Sequence, residues 1–139
     1  MRMDDAIRAA LALTPASTAW DRTVEITTIG GRSGLPRRIE IWFYRAGDAN
    51  YLSGMPSSTP DWFRNLQANP RFSFHLKHGV HATLQATAHP VLDEQERRRV
   101  FTEIVADLNQ PANPGRIAQP TAVEDWMNGS VLVRIEFDE

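Results

Sequence analysis

The stretch Thr23-Val24-Glu25-Ile26-Thr27-Thr28-Ile29, then Gly30-Gly31-Arg32-Ser33-Gly34-Leu35-Pro36, then Arg37-Arg38-Ile39-Glu40-Ile41-Trp42-Phe43-Tyr44-Arg45, decides the fold class. Its first third is rich in β-branched residues, which suit a pleated, half-buried strand. Its middle packs three glycines and a proline into seven positions, the composition of a turn. Its last third alternates, so that Ile39, Ile41 and Phe43 share one face of a strand while Arg38, Glu40, Trp42 and Tyr44 share the other. The first of these faces is the expected core face. Two strands joined by so short a connection run antiparallel, because a parallel pair needs a crossover of about a dozen residues.

Downstream, Ala46-Gly47-Asp48 turns the chain into a third strand over Asn50 to Ser53, which extends an antiparallel meander. Thr59 offers an N-cap and Pro60 a first helical position; Trp62, Phe63 and Leu66 follow as an apolar stripe that stops at Asn69-Pro70, so a short helix crosses to the next strand. Arg71 to Lys77 and Val80 to His89 read as a hairpin around a tight His78-Gly79 turn. Asp93 with Glu96 starts the longest helix in the manner of a capping box. Val100, Phe101, Ile104, Val105 and Leu108 form its apolar stripe, and Glu94 and Arg98 stand four residues apart in support. Asn109 to Pro120 reads as a loop, Val123 to Met127 as a helical turn and Ser130 to Phe137 as a final strand. Upstream, Asp4 to Leu13 reads as an amphipathic helix closed by Pro15, which makes residues 1–20 a helical appendage to a single domain over 1–139. About six mostly antiparallel strands, one crossover helix and flanking helices give a mainly β (α+β) chain whose expected form is a small closed or nearly closed barrel.

The 139 residues are 42% apolar and 23% charged, an ordinary globular composition within the reach of one core. The absence of cysteine excludes a disulfide framework, a thiolate nucleophile and any cysteine-ligated metal. No apolar run approaches the ~20 residues of a membrane helix, and Asp4 and Asp5 near Arg2 do not resemble a secretory signal, so a cytoplasmic protein without an integral membrane segment is expected. The net charge of −2 is unevenly spread. Between Arg22 and His81 eight basic residues face four acids, whereas from Val91 to Glu139 five arginines face ten acids. This asymmetry argues against a surface that tracks nucleic acid and for a local anion site. Fourteen of the fifteen basic residues are arginine, whose fork suits phosphate and carboxylate, although a GC-rich coding sequence gives the same bias.

Gly31-Arg32-Ser33-Gly34 is not a nucleophile elbow, since Leu35 stands where the last glycine belongs, and it lacks the lysine and spacing of a P-loop. Two readings of the turn remain: an exposed hairpin with solvated arginines, or an anion cradle in which backbone N–H groups join Arg32, Arg37 and Arg38. His75, His78 and His81 recur every three residues, but strand parity turns the first two to opposite faces, and no metal site is expected. No carboxylate pair can be assigned acid and base roles. Trp20, Trp42, Trp62 and Trp126 are four indoles in a small chain. Indoles, a basic rim and no nucleophile together suit a planar anionic cofactor that carries the reactive atom itself.

Thr27-Thr28-Ile29-Gly30-Gly31-Arg32-Ser33-Gly34-Leu35-Pro36-Arg37, Gly47-Asp48 and Pro60-Asp61-Trp62-Phe63-Arg64-Asn65-Leu66-Gln67-Ala68-Asn69-Pro70, in that order, resemble the deazaflavin (F420)-dependent nitroreductase family. The resemblance spans roughly Thr23 to Lys77. It implies a split β-barrel of the flavin/deazaflavin oxidoreductase superfamily and an F420H2-dependent reductase that passes hydride to a quinone, a nitro compound or another small electrophile. The cofactor would carry the hydride, so no protein residue is assigned as catalytic. Carried over by position, Arg32, Ser33, Gly34 and Arg37, with Arg38 beside them, would hold the phosphate and acidic tail. Backbone around Glu40, Ile41 and Trp42 would border the ring, Gly54 and Met55 would approach it, and Trp62 and Asn65 would fix the crossover helix against the pocket. Trp20 and Trp126 are the candidate walls of the substrate pocket. Glu40 stands where the family often has proline, an acid near the expected anion. The alternatives are FMN in the same cleft, or a non-catalytic protein binding a flavin or a tetrapyrrole; monomer and homodimer are both compatible.

Overall fold

In the computed structural model, which describes residues 3–110, 113–114 and 120–139, six strands close a barrel. Around the barrel run β1 (Thr23–Ile29), β2 (Pro36–Ala46), β3 (Ala49–Ser53), β6 (Leu132–Phe137), β5 (Ala82–Pro90) and β4 (Arg71–Leu76), which returns to β1. Every neighbouring pair is antiparallel. The β1–β2 hairpin pairs Ile29 with Pro36 and Glu25 with Glu40, and β1 places Glu25 opposite His75 on its other side. The helices are α1 (Asp5–Leu11), α2 (Ala19–Arg22), α3 (Asp61–Ala68), α4 (Glu94–Asn109) and α5 (Val123–Gly129). Among the described residues no helix is long and apolar enough to cross a membrane.

Strand alternation builds two cores rather than one. Val24, Ile26, Phe43, Leu52, Phe72, Phe74, Leu84, Ala86 and Val133 fill the barrel, and α3 adds Phe63 and Leu66 to them. On the outside, Tyr44, Ala46 and Tyr51 pack against Val100, Phe101, Ile104, Val105 and Leu108 of α4 and against Trp126 of α5. The second face of β2, which carries Trp42 and Tyr44, is therefore a core face too: Tyr44 is buried and Trp42 packs beside it. The stripe expected of α4 is buried at all five positions. Nor is α1 a detached appendage, since Leu11 and Met3 enter the barrel core and the buried Asn50 donates to the Leu11 carbonyl at 2.8 Å.

Local differences from the sequence expectations have local causes. The cap of α3 is Pro60 itself, in extended conformation with no side-chain cap, because the helix begins one residue later than expected, at Asp61. Arg98 pairs with Glu124 at 2.6 Å rather than with Glu94, since α5 brings that carboxylate directly to it. The expected loop from Asn109 to Pro120 begins inside α4, and residues 111–112 and 115–119 lie outside the described residues.

Candidate functional site

The end of β1, the turn after it and the start of β2 face the exposed side of α3 across a cavity of about 630 Å³. Phe63 and Leu66 turn inward, so helical spacing leaves Asp61, Trp62, Arg64 and Asn65 on the cavity side of α3. From the hairpin come Thr28, Gly30, Gly31, Arg32, Ser33, Arg37 and Ile39. Arg37 belongs to the same strand face as Ile39 and Ile41, the face that fills the barrel, and so its guanidinium is delivered to the barrel mouth.

The turn is held by its own bonds. Gly30 N–H donates to the Leu35 carbonyl at 2.8 Å, Gly34 N–H to the Gly30 carbonyl at 2.9 Å, and Leu35 N–H to Ser33 Oγ at 3.1 Å. Gly34 has φ +69°, a conformation that favours glycine, and a Cβ on Gly30 would lie 2.6 Å from Ser33 Oγ and 3.3 Å from the Leu35 carbonyl oxygen, so a side chain there forces the turn to shift. Asn65 ties the turn to α3, accepting from Gly31 N–H at Oδ1 and donating from Nδ2 to Thr28 Oγ1, each at 3.2 Å. Thr28 is buried and gives that amide a fixed partner.

Three guanidinium groups line the cavity against one carboxylate. Arg64 is shared with Asp61 at 3.3 Å, and both are exposed. Arg32 and Arg37 meet no carboxylate among the described residues, which leaves two cations free to take an anion. Arg38 and Glu40 are on the opposite strand face, away from the cavity. There Glu25 accepts from Arg38 Nε at 2.6 Å and from Lys77 Nζ at 2.9 Å, and Lys77 also pairs with Glu40. The Lys77 and Arg38 hydrogen bonds hold the Glu25 carboxyl down at about 2. Glu40 is thus neutralised on the outer surface rather than opposing an anion in the cavity.

Of the expected site residues, the cavity gathers Arg32, Ser33, Arg37, Trp62 and Asn65. Gly34 lies within the turn and Ile41 beyond the cavity's last strand residue, Ile39; Trp42 is taken up by the outer core. Gly54 and Met55 line a second recess of about 230 Å³ with Ser57, Pro60 and Gly129, and Trp62 is a wall of both spaces. Neither expected pocket tryptophan reaches the cavity. Trp126 is fully buried between Tyr44 and Phe101, its Nε1 donating to Thr121 Oγ1 at 2.8 Å. Trp20 is exposed and stacks on His78, with ring centroids 3.5 Å apart. His75 sits between Thr27 Oγ1 at 2.7 Å and Thr83 Oγ1 at 2.9 Å, and burial, with the charge of Arg38, keeps its pKa below the ordinary 6.5. Among the described residues no three histidine or carboxylate side chains converge on a metal site. Arg64, Asp61 and Thr28 were missed as lining residues, although the inward stripe of α3 already turns Asp61 and Arg64 outward.

A family model described as F420H(2)-dependent quinone reductase matches residues 7–114. Among solved structures, the chain is similar to a conserved hypothetical protein from Mycobacterium tuberculosis, with TM-score 0.67 and 23% identity over 100% of this chain and 83% of that one. It is also similar to a protein described as F420 reductase, with TM-score 0.65 and 13% identity over 99% and 97% of the two chains. HutZ, the heme storage protein from Vibrio cholerae, gives TM-score 0.64 and 16% identity over 100% and 92%. At these identities the structural likenesses establish the split-barrel fold.

Proposed function

This chain belongs to the F420H(2)-dependent quinone reductase family, and on that premise we propose that the cavity between the β1–β2 hairpin and α3 holds reduced F420 while a quinone or nitro compound accepts the hydride. The family is one of F420-dependent oxidoreductases, and this chain is one of them. The observation that carries the proposal is the pair Arg32 and Arg37, two guanidinium groups that meet no carboxylate among the described residues, on the rim of a cavity of about 630 Å³. Such groups suit a phosphate or carboxylate tail, whereas the N–H groups of Gly30, Gly31 and Gly34 are already spent within the turn and on Asn65, so the guanidinium groups and not the backbone carry the anion.

When bound, reduced deazaflavin supplies the hydride. The protein's residues bind, orient and exclude water. Arg32 and Arg37, with Ser33 and the Gly34 turn, hold the acidic end. Asn65 fixes the turn against α3, and Trp62 forms an apolar wall between the cavity and the recess of Gly54 and Met55. Close placement and desolvation are what a hydride transfer asks of its surroundings, and this constellation supplies them without a protein base.

Titrating the purified protein with F420H2 and with FMN, followed by turnover of a panel of quinones and nitro compounds, tests the reading. F420H2 binding and turnover of at least one acceptor are expected. Tight FMN binding with no F420H2 binding, or F420H2 binding with no turnover across the panel, overturns it.

A further inference from the structure

Arg97, in the first turns of α4, is half-buried, and its guanidinium meets no carboxylate among the described residues. Nη2 donates to the carbonyls of Met127 and Ser130, each at 3.0 Å, and Nη1 reaches the Val91 carbonyl at 3.4 Å. The group also lies over the Phe101 ring, with Cζ 5.1 Å from its centroid. A cation withdrawn from water persists only where dipoles replace its hydration. Here they are carbonyls around the C-terminal end of α5, the negative end of that helix.

The segment that Arg97 holds is the one from which the second recess hangs. Ser57 N–H donates to the Gly129 carbonyl at 3.0 Å, Ser130 Oγ to the Gly54 carbonyl at 2.7 Å, and Ser53 Oγ to the Val131 carbonyl at 2.6 Å. The packing is as close as the bonding: a Cβ on Gly129 would lie 2.9 Å from the Pro56 Cβ. Contacts therefore run without a break from Arg97 through Met127 and Ser130 to the Gly54–Ser58 wall, and that wall faces Trp62, which the recess shares with the main cavity.

We propose that Arg97 is a positioning residue for the reaction: by fixing Met127 and Ser130 it sets the Gly54–Ser58 wall against Trp62 and thereby the placement of the reacting groups. The inference rests on the functional reading above. It differs from a simple fold staple in that its loss acts on one wall and on the chemical step, leaving the arginine cradle intact.

The test compares the wild type with Arg97→Lys, Arg97→Gln and Ser130→Ala by hydrogen exchange over Gly54–Ser58, F420H2 titration and steady-state kinetics with a soluble naphthoquinone. In Arg97→Gln and Ser130→Ala the Ser57 amide should exchange about tenfold faster while β4 and β5 exchange as before. The Kd for F420H2 should move less than about threefold, and kcat should fall about tenfold, since small displacements of reacting atoms cost that much. Arg97→Lys, which keeps the charge but not the fork, should fall between. If Arg97→Gln does not fold, Arg97→Lys, which keeps the charge and the stem but not the fork, carries the test. Unchanged Ser57 exchange, unchanged kcat, or exchange accelerated throughout the barrel overturns the proposal. If the wild type binds no F420H2, it is the functional reading that fails, and exchange alone decides whether Arg97 holds the wall.

Discussion

Among the described residues Arg32 and Arg37 meet no carboxylate, whereas Arg38 of the same hairpin is paired with Glu25. Arg37→Ala and Arg32→Ala should each weaken F420H2 binding by about 1 to 3 kcal/mol, read by titration. Fold stability should shift by less than about 0.5 kcal/mol, because neither side chain holds a structural partner. Lys77 is the opposite case. It lies between Glu25 and Glu40, which face each other across β1 and β2, and with Arg38 it holds Glu25 at about 2. A carboxyl whose folded value lies below its ordinary 4.5 contributes stability that is present above 4.5 and lost as pH falls toward 2. Lys77→Met should therefore raise the Glu25 titration toward 4.5 and move acid unfolding to higher pH, followed by NMR of the carboxyl and by circular dichroism. At this scale the sequence was half legible. Turn composition singled out Arg32, Arg37 and Arg38 alike, and it is the structure that removes Arg38 to the opposite face with Glu25, while only the pairing of β1 with β4 reveals the lysine that occupies Glu40. Nor does an isolated Trp126 announce the outer core that closes around it.

The hairpin carries its geometry in its glycines. Gly34 has φ +69° with open space where a Cβ would stand, so Gly34→Ala meets no clash and costs only the left-handed backbone, about 1 to 2 kcal/mol in urea unfolding. Periodicity made most elements legible. Alternation gave β2, and the five-residue stripe gave α4 with its buried face. What it could not give was the number of faces in use: β2 buries Phe43 inside the barrel and Tyr44 outside it, because α4 and α5 return from far along the chain to cover the second face. The expected Thr59 cap failed for a local reason, since proline in extended conformation can end a loop as well as begin a helix.

For the molecule as a whole, closure depends on β6, which pairs with β3 and β5 and so joins residues 50–53 to 132–135. Such distant pairing is formed late, after the loop-closure entropy of the intervening chain has been overcome. Leu132→Ala should cost about 2 to 5 kcal/mol and appear mainly as faster unfolding, with the folding arm of a stopped-flow chevron little changed. An antiparallel barrel was legible from short turns and strand count, whereas the order in which the last strand enters was not, because nothing local records a partner eighty residues away. The groove under the hairpin opens at the mouth of this cylinder, lined by the end of β1, the start of β2, the turn between them and the outer side of α3. A molecule lodged there arrives and departs without any strand releasing its neighbour. On the proposed reading its berth is a quay rather than a hold: a spent carrier is traded for a fresh one on each round, and occupancy lends the scaffold only the mass-action increment that its concentration commands.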